Sequence, residues 1–150
     1  MKNILCLIAL FQFCTASFAK GAPGNSKAQL DTSKAVLSAI QHVFDTQKRI
    51  LSNAYYRNSV KLSVPQKDRQ SYKDSFINGK KCIVLDRWPI GKKVDWEKPD
   101  PIVELLEVEP ALDSQLKIRI GLPASGKVFT VLLTDRNGEW SVLSLKVVYV

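Results

Sequence analysis

The chain has 150 residues, with 22 Lys and Arg against 14 Asp and Glu, one His and three Cys, for a formal net charge of +8. That length fits one ordinary domain, able to bury about two-thirds of its unfolded surface. So few His and Cys all but exclude a structural zinc site, which takes three or four such ligands, and they exclude a disulfide framework.

Residues 1–19 read as an export signal. Lys2 supplies the positive start, residues 4–13 form an apolar run too short to span a bilayer, and Ser17 and Ala19 precede a cut ahead of Lys20. Cys14 follows Phe13 rather than a small residue, which disfavours a lipid-anchor signal. Cys6 and Cys14 leave with the signal, so Cys82 is the one thiol expected in the exported form, and that form holds no internal disulfide. No second apolar run approaches spanning length. The expected location is periplasmic or secreted, with cleavage near Ala19 and no membrane span.

Residues 20–30 are small, polar and turn-rich, as in a flexible tether. Asp31 or Ser33 then caps a helix whose apolar stripe runs through Val36, Leu37, Ile40, Val43, Phe44, Ile50, Leu51 and Ala54. The stripe predicts one long helix ending near Tyr55 and Tyr56. Beyond it, Ser63 before Pro65 starts a short helix carrying Tyr72 and Phe76. Asn78-Gly79 either stops that helix or turns a hairpin. Residues 82–85 read as a buried strand, and residues 87–101, with three prolines and a glycine, as a long loop.

Strands follow from Ile102. In residues 115–120 the apolar Leu116, Ile118 and Ile120 alternate with Gln115, Lys117 and Arg119. Asn137-Gly138 between two apolar runs is a strong hairpin signal. Pairing Arg136 with Glu139 places Leu132 opposite Leu143, Thr130 opposite Leu145 and Val128 opposite Val147. The other face, with Val131 against Ser144 and Phe129 against Lys146, is expected to be the wetter one. The fold class is α+β: a long N-terminal helix packed on a curved antiparallel meander sheet of four to five strands.

Gly121 to Val128 spells GLPASGKV, close to the loop that cradles nucleotide phosphates. Such a loop needs a helix after it and a Ser or Thr after the Lys. Here Val128 follows Lys127 and a strand begins, so the stretch is a turn and no nucleotide is expected. Cys82 sits beside Ile83, Val84 and Leu85, the setting of a buried, inert thiol, although a pair with His42 is arithmetically open. Asp95, Glu97, Asp100, Glu104, Glu107, Glu109 and Asp113 cluster without the glycine turn of a calcium loop, as a solvated strand face or a contact surface for a basic partner. Arg87, Trp88 and Trp96 bracket the proline-rich loop and are the candidate ligand- or partner-binding residues; the alternative is a lid packed over the core. Residues 20–93 carry 15 Lys and Arg against 5 Asp and Glu, and residues 94–150 carry 6 against 9. This asymmetry reads first as internal complementarity and second as a surface for anionic envelope material.

Residues 128–145, VFTVLLTDRNGEWSVLSL, behind a helix over residues 33–51 resemble the nuclear transport factor two-like superfamily within the cystatin-like cone folds. Such domains often close on a valine-rich hairpin leading into Gly-x-Trp. The resemblance covers about a third of the exported chain. It implies that residues 31–150 form a single cone-like domain, with a curved sheet wrapped around a helix and a pocket between them. Some members use that pocket for ligands, and a few for catalysis with Asp, His or Tyr; no residue of this chain matches those positions. The expected function is that of an exported bacterial envelope protein, non-catalytic, binding a protein partner or small ligand, in one form as an inhibitor or immunity protein. A small exported enzyme using the cone pocket and a basic adaptor for anionic envelope polymers are the alternatives. No cofactor, metal or nucleic acid is expected.

Overall fold

A computed structural model describes residues 31–86, 100–112 and 114–150. The export signal, the tether, Asp95, Glu97 and Asp113, and the candidate residues Arg87, Trp88 and Trp96 lie outside the described residues.

Helix α1 spans Thr32–Thr46 and is opened by Asp31, whose carboxylate accepts the Lys34 backbone N–H at 3.2 Å and the Ser33 hydroxyl at 2.7 Å. Its apolar stripe buries Ala35, Val36, Ala39, Ile40, Val43 and Phe44. The helix is shorter than the stripe predicts. It stops where the Thr46 hydroxyl turns back to the His42 carbonyl at 2.7 Å, a local bond that competes with helix propagation. The chain then turns through Leu51 into a short helix α2, Ala54–Arg57. Of the stripe residues beyond the break, Leu51 re-enters the core from this turn, Ala54 is half-buried and Ile50 is exposed. The break aims two tyrosines back at α1: the Tyr56 hydroxyl donates to the Phe44 carbonyl at 2.8 Å, satisfying one of the last-turn carbonyls that lack a helix partner. The buried Tyr55 hydroxyl donates to the Ile102 carbonyl at 3.0 Å and ties α2 to the sheet.

The strands are β1 (Lys61–Ser63), β2 (Phe76–Ile77), β3 (Lys80–Lys81), β4 (Ile83–Val84), β5 (Ile102–Pro110), β6 (Gln115–Leu122), β7 (Lys127–Arg136) and β8 (Glu139–Tyr149). Six of them form one sheet in the order β4-β1-β5-β6-β7-β8, and β2 and β3 pair apart from it. The sheet is larger than the four to five strands expected, and it is mixed: β1 runs parallel to both β4 and β5, while β5 to β8 form the antiparallel meander. After β1, Pro65 leads into a 3₁₀-helix, Gln66–Tyr72. Phe76 is not on that helix. It sits 61% exposed on β2, and Asn78 (φ 52°) and Gly79 (φ 70°) make the two-residue hairpin turn.

The β7–β8 hairpin begins as expected, with Arg136 opposite Glu139, and then departs. Leu143 is a bulge without a cross-strand partner, so Leu132 faces Ser144, Val131 faces Leu145 and Phe129 faces Val147. The extra residue switches the inward set of β8 from Trp140 and Val142 to Leu145 and Val147, while β7 alternates without a break. Phe129 and Val131, expected on the wetter face, are fully buried, as is Leu133. A second bulge, between Leu105 and Glu107, does the same work in β5. It brings Leu105 and Val108 onto the core side with Leu116, Ile118 and Ile120, which are buried as the alternation of β6 predicts. The acids go to the other face, where Glu107 meets Arg119 at 3.4 Å and Glu109 pairs with Lys117. Asp100 is bound to Lys61 at 2.7 Å. Of the described acids in the cluster, Asp100, Glu107 and Glu109 are ion-paired, the last two on one face of β5, while Glu104 lies on β5 without an ion pair among the described residues.

Candidate functional site

The described surface holds a cleft of about 320 Å³ between the start of α1, the 3₁₀-helix and the core-side face of β5 and β6. That volume lies at the small end of ligand sites, which run from about 300 to 1,000 Å³. Its floor is Leu105, Val108, Pro110 and Leu116, and its rim is Thr32, Ser33, Lys67, Asp68 and Ser71. Local sequence explains the arrangement. Pro65 fixes the entry to a helix with three residues per turn, which stacks Ser71 over Asp68 and turns Tyr72 inward. The β5 bulge supplies the floor, because a regular strand could not send both Leu105 and Val108 to the same side.

Tyr72 is the distinctive group. It is only 2% exposed and lines the cleft, yet its hydroxyl meets no hydrogen-bond partner among the described residues. Burial pushes the phenol up to about 12, with the Asp68 and Asp31 carboxylates adding to the shift. The phenol therefore stays protonated at any physiological pH, able to donate one hydrogen bond and to accept others. Asp31 itself is engaged: the Ser33 hydroxyl first, and then the Lys34 backbone N–H, hold its carboxyl below the usual range.

The other chemical candidates resolve differently. Cys82 is buried, its thiol is pushed up to about 11 by burial, and no hydrogen bond joins it to His42 among the described residues. A native-state thiol assay should therefore label Cys82 slowly, with the rate rising sharply on unfolding. Fast stoichiometric labelling of the folded protein would contradict this. No cluster of three or more His, Cys, Asp or Glu is placed to hold a metal ion among the described residues. Nor, among them, is any helix long and apolar enough to cross a membrane.

GLPASGKV is the β6–β7 connection. Pro123–Ser125 make one 3₁₀ turn, Gly126 sits at φ 59°, and its N–H donates to the Pro123 carbonyl at 3.0 Å. The Lys127 ammonium donates to the carbonyls of Ser125 (3.0 Å) and Ile50 (3.2 Å) and lies 5.3 Å from the Tyr149 ring centre. It acts as a clasp on the turn. Gly126→Val forces a branched residue into the left-handed region and is expected to cost about 1–2 kcal/mol. Lys127→Ala costs less, since Lys127 is only half-buried and water can replace its bond to the exposed Ile50 carbonyl. Neither variant, nor the parent, should gain melting temperature with ATP; an ATP-dependent rise that Lys127→Ala removes would overturn this reading.

No protein-family model matches the chain, and neither a curated protein nor a solved structure matches it. The sequence pointed to Arg87, Trp88 and Trp96, outside the described residues, and passed over Lys67, Asp68, Ser71 and Tyr72. The available signal was Pro65 followed by a polar run whose aromatic residue falls at the end of the turn.

Proposed function

We propose that this is an exported, non-catalytic binding protein of the bacterial envelope, holding a small ligand in the cleft above Leu105, Val108 and Leu116. The observation that carries it is Tyr72, whose ring is buried while its hydroxyl lies at the cleft with no hydrogen-bond partner among the described residues. A ligand that hydrogen-bonds this hydroxyl and covers the apolar floor would gain about 0.5–1.5 kcal/mol from the bond besides the area it buries. An α1 helix laid on a bulged antiparallel meander supports the cone-like reading, in which the pocket lies between helix and sheet. Arg87, Trp88 and Trp96 are proposed as further contacts to ligand or partner.

The enzyme alternative is weaker. Tyr72 is the one nucleophile-capable group buried at the cleft, and no base lies within hydrogen-bond reach of it among the described residues. The test is native mass spectrometry of the protein recovered from its own envelope. The expected species is processed after Ala19 and carries a small non-covalent adduct that is absent from Tyr72→Phe. Recovery with a stoichiometric protein partner and no adduct would replace the small-ligand reading. An unprocessed Met1 form would sink the export assignment.

A further inference from the structure

The two edges of the main sheet are finished differently. β4 is only two residues long and offers little to a further strand. β8 is eleven residues long, holds no proline, and pairs with β7 alone among the described strands. Alternate residues of such an edge turn their N–H and C=O groups outward, where another strand can add. Little guards this edge: Leu143 is 47% exposed, Val148 is 56% exposed, and Lys146 is the one basic residue of β8.

The β8 bulge determines what fits there. Glu139 and Lys146 are an odd number of positions apart, so on a regular strand they would face opposite sides of the sheet. Here Glu139 lies opposite Arg136 and Lys146 opposite Thr130, an even number of positions apart on the unbroken β7. The extra residue therefore brings Glu139 and Lys146 to one face, and Trp140 and Leu145 together to the other, against the core. A strand with that pattern complements itself. Laid antiparallel on a copy of itself with Glu139 against Lys146, it repeats the same ion pair at the other end, as two-fold symmetry requires. Between the two ion pairs, Trp140 meets Leu145, Ser141 meets Ser144 and Val142 meets Leu143, each pair taken from opposite copies. Without the bulge, each pairing in this register would set an inward side chain against an outward one.

We propose that β8 is a dimer edge, occupied by β8 of a second copy of this chain in the register that joins Glu139 to Lys146 twice. Sedimentation velocity on the exported chain, from Lys20 to Val150, over a micromolar concentration series tests this. A dimer that dissociates on dilution is expected, since an overlap of residues 139–146 is only about 26 Å long and lies at the small end of stable interfaces. Glu139→Lys and Lys146→Glu each set like charges together at both ends and should raise the dissociation constant at least about 10-fold. Both side chains are exposed, so each variant should keep the circular dichroism spectrum of the parent. Mixed in equal amounts, the two variants again present opposite charges at both ends, and the dimer should return to within about 3-fold of the parent affinity. A general loss of stability would not be repaired by mixing. A chain that stays monomeric throughout the series, as when another segment of the same chain covers the edge, overturns the proposal. So does a dimer that either reversal leaves intact, which would lie on another surface, and so does a mixture that remains monomeric.

Discussion

Deleting Leu132 should unfold the protein, and deleting Leu143 from the neighbouring strand should leave it folded. Both residues are leucines of the same hairpin, yet they hold opposite places in its register. Leu132 lies in β7, paired on both sides, with Lys117 on β6 and Ser144 on β8. Removing it moves one half of β7 by a residue, turning either Phe129 and Val131 or Leu133 out of the core, where all three are fully buried. Each such side chain contributes about 1.5–3 kcal/mol through burial, so expelling Phe129 and Val131 costs about 3–6 kcal/mol before the mismatched ladder is considered. A domain of this size has only about 5–15 kcal/mol in total.

Leu143 has no cross-strand partner and is 47% exposed. Without it, Val142 still faces Leu133 and Ser144 still faces Leu132, now in an unbroken ladder. The expected loss is about 1 kcal/mol, from one half-exposed side chain and a straighter strand. Urea titration of the two deletions, read by circular dichroism, distinguishes them. A Leu143 deletion that fails to fold would show that the bulge is required for the curvature under α1 and does more than set the register.

The same bulge marks the limit of what the sequence could say. Strand β6 was legible because its alternation is uninterrupted, so Leu116, Ile118 and Ile120 had only one face to occupy. Asn137-Gly138 was legible because its positive φ angles, 59° and 87°, are costly for most other residues. From that turn outward the pairing was counted residue by residue, and such a count carries one unseen insertion to every later position. Val128, Thr130 and Leu132 are as plausible core residues by type as Phe129, Val131 and Leu133, so β7 alone did not show which of its faces is buried. Strand β1 was hidden for a different reason. It has three residues, too few for a period to show, and both of its partners are distant in sequence and parallel to it.

The cleft was illegible because its parts are ordinary one at a time. Tyr72 in a polar segment reads as a helix-face aromatic, and only the fold shows that its ring is buried while its hydroxyl has no partner among the described residues. Leu105 and Val108 read as alternating with acids, and only the β5 bulge brings them to one side beneath the 3₁₀-helix. The end of α1 is the remaining case. The stripe through Ile50, Leu51 and Ala54 kept its spacing across a break that the sequence marks weakly, with Thr46, Ser52 and Asn53.

That break makes Phe44 the side chain on which the helical layer depends. It is fully buried in the last turn of α1, edge-on to Tyr55 at 5.5 Å between ring centres and tilted against Tyr56 at 5.9 Å. Its carbonyl is the acceptor for Tyr56, so the three aromatics join α1, α2 and, through Tyr55, the backbone of β5. Phe44→Ala should cost about 3–5 kcal/mol: the transfer of a ring out of the core, plus a cavity that two tyrosines held by hydrogen bonds cannot collapse to fill. That is a melting-temperature drop on the order of 10 °C or more for a domain of this length. Phe44→Leu keeps most of the volume and should cost much less. Tyr56→Phe removes one hydrogen bond and should cost about 1 kcal/mol. Combining Phe44→Ala with Tyr56→Phe should cost less than the sum, since the Phe44 cavity already loosens the geometry that presents the carbonyl to Tyr56. Strict additivity of the two, or a Phe44→Ala protein melting within a few degrees of the parent, would show that α2 is held to the sheet by Tyr55 alone.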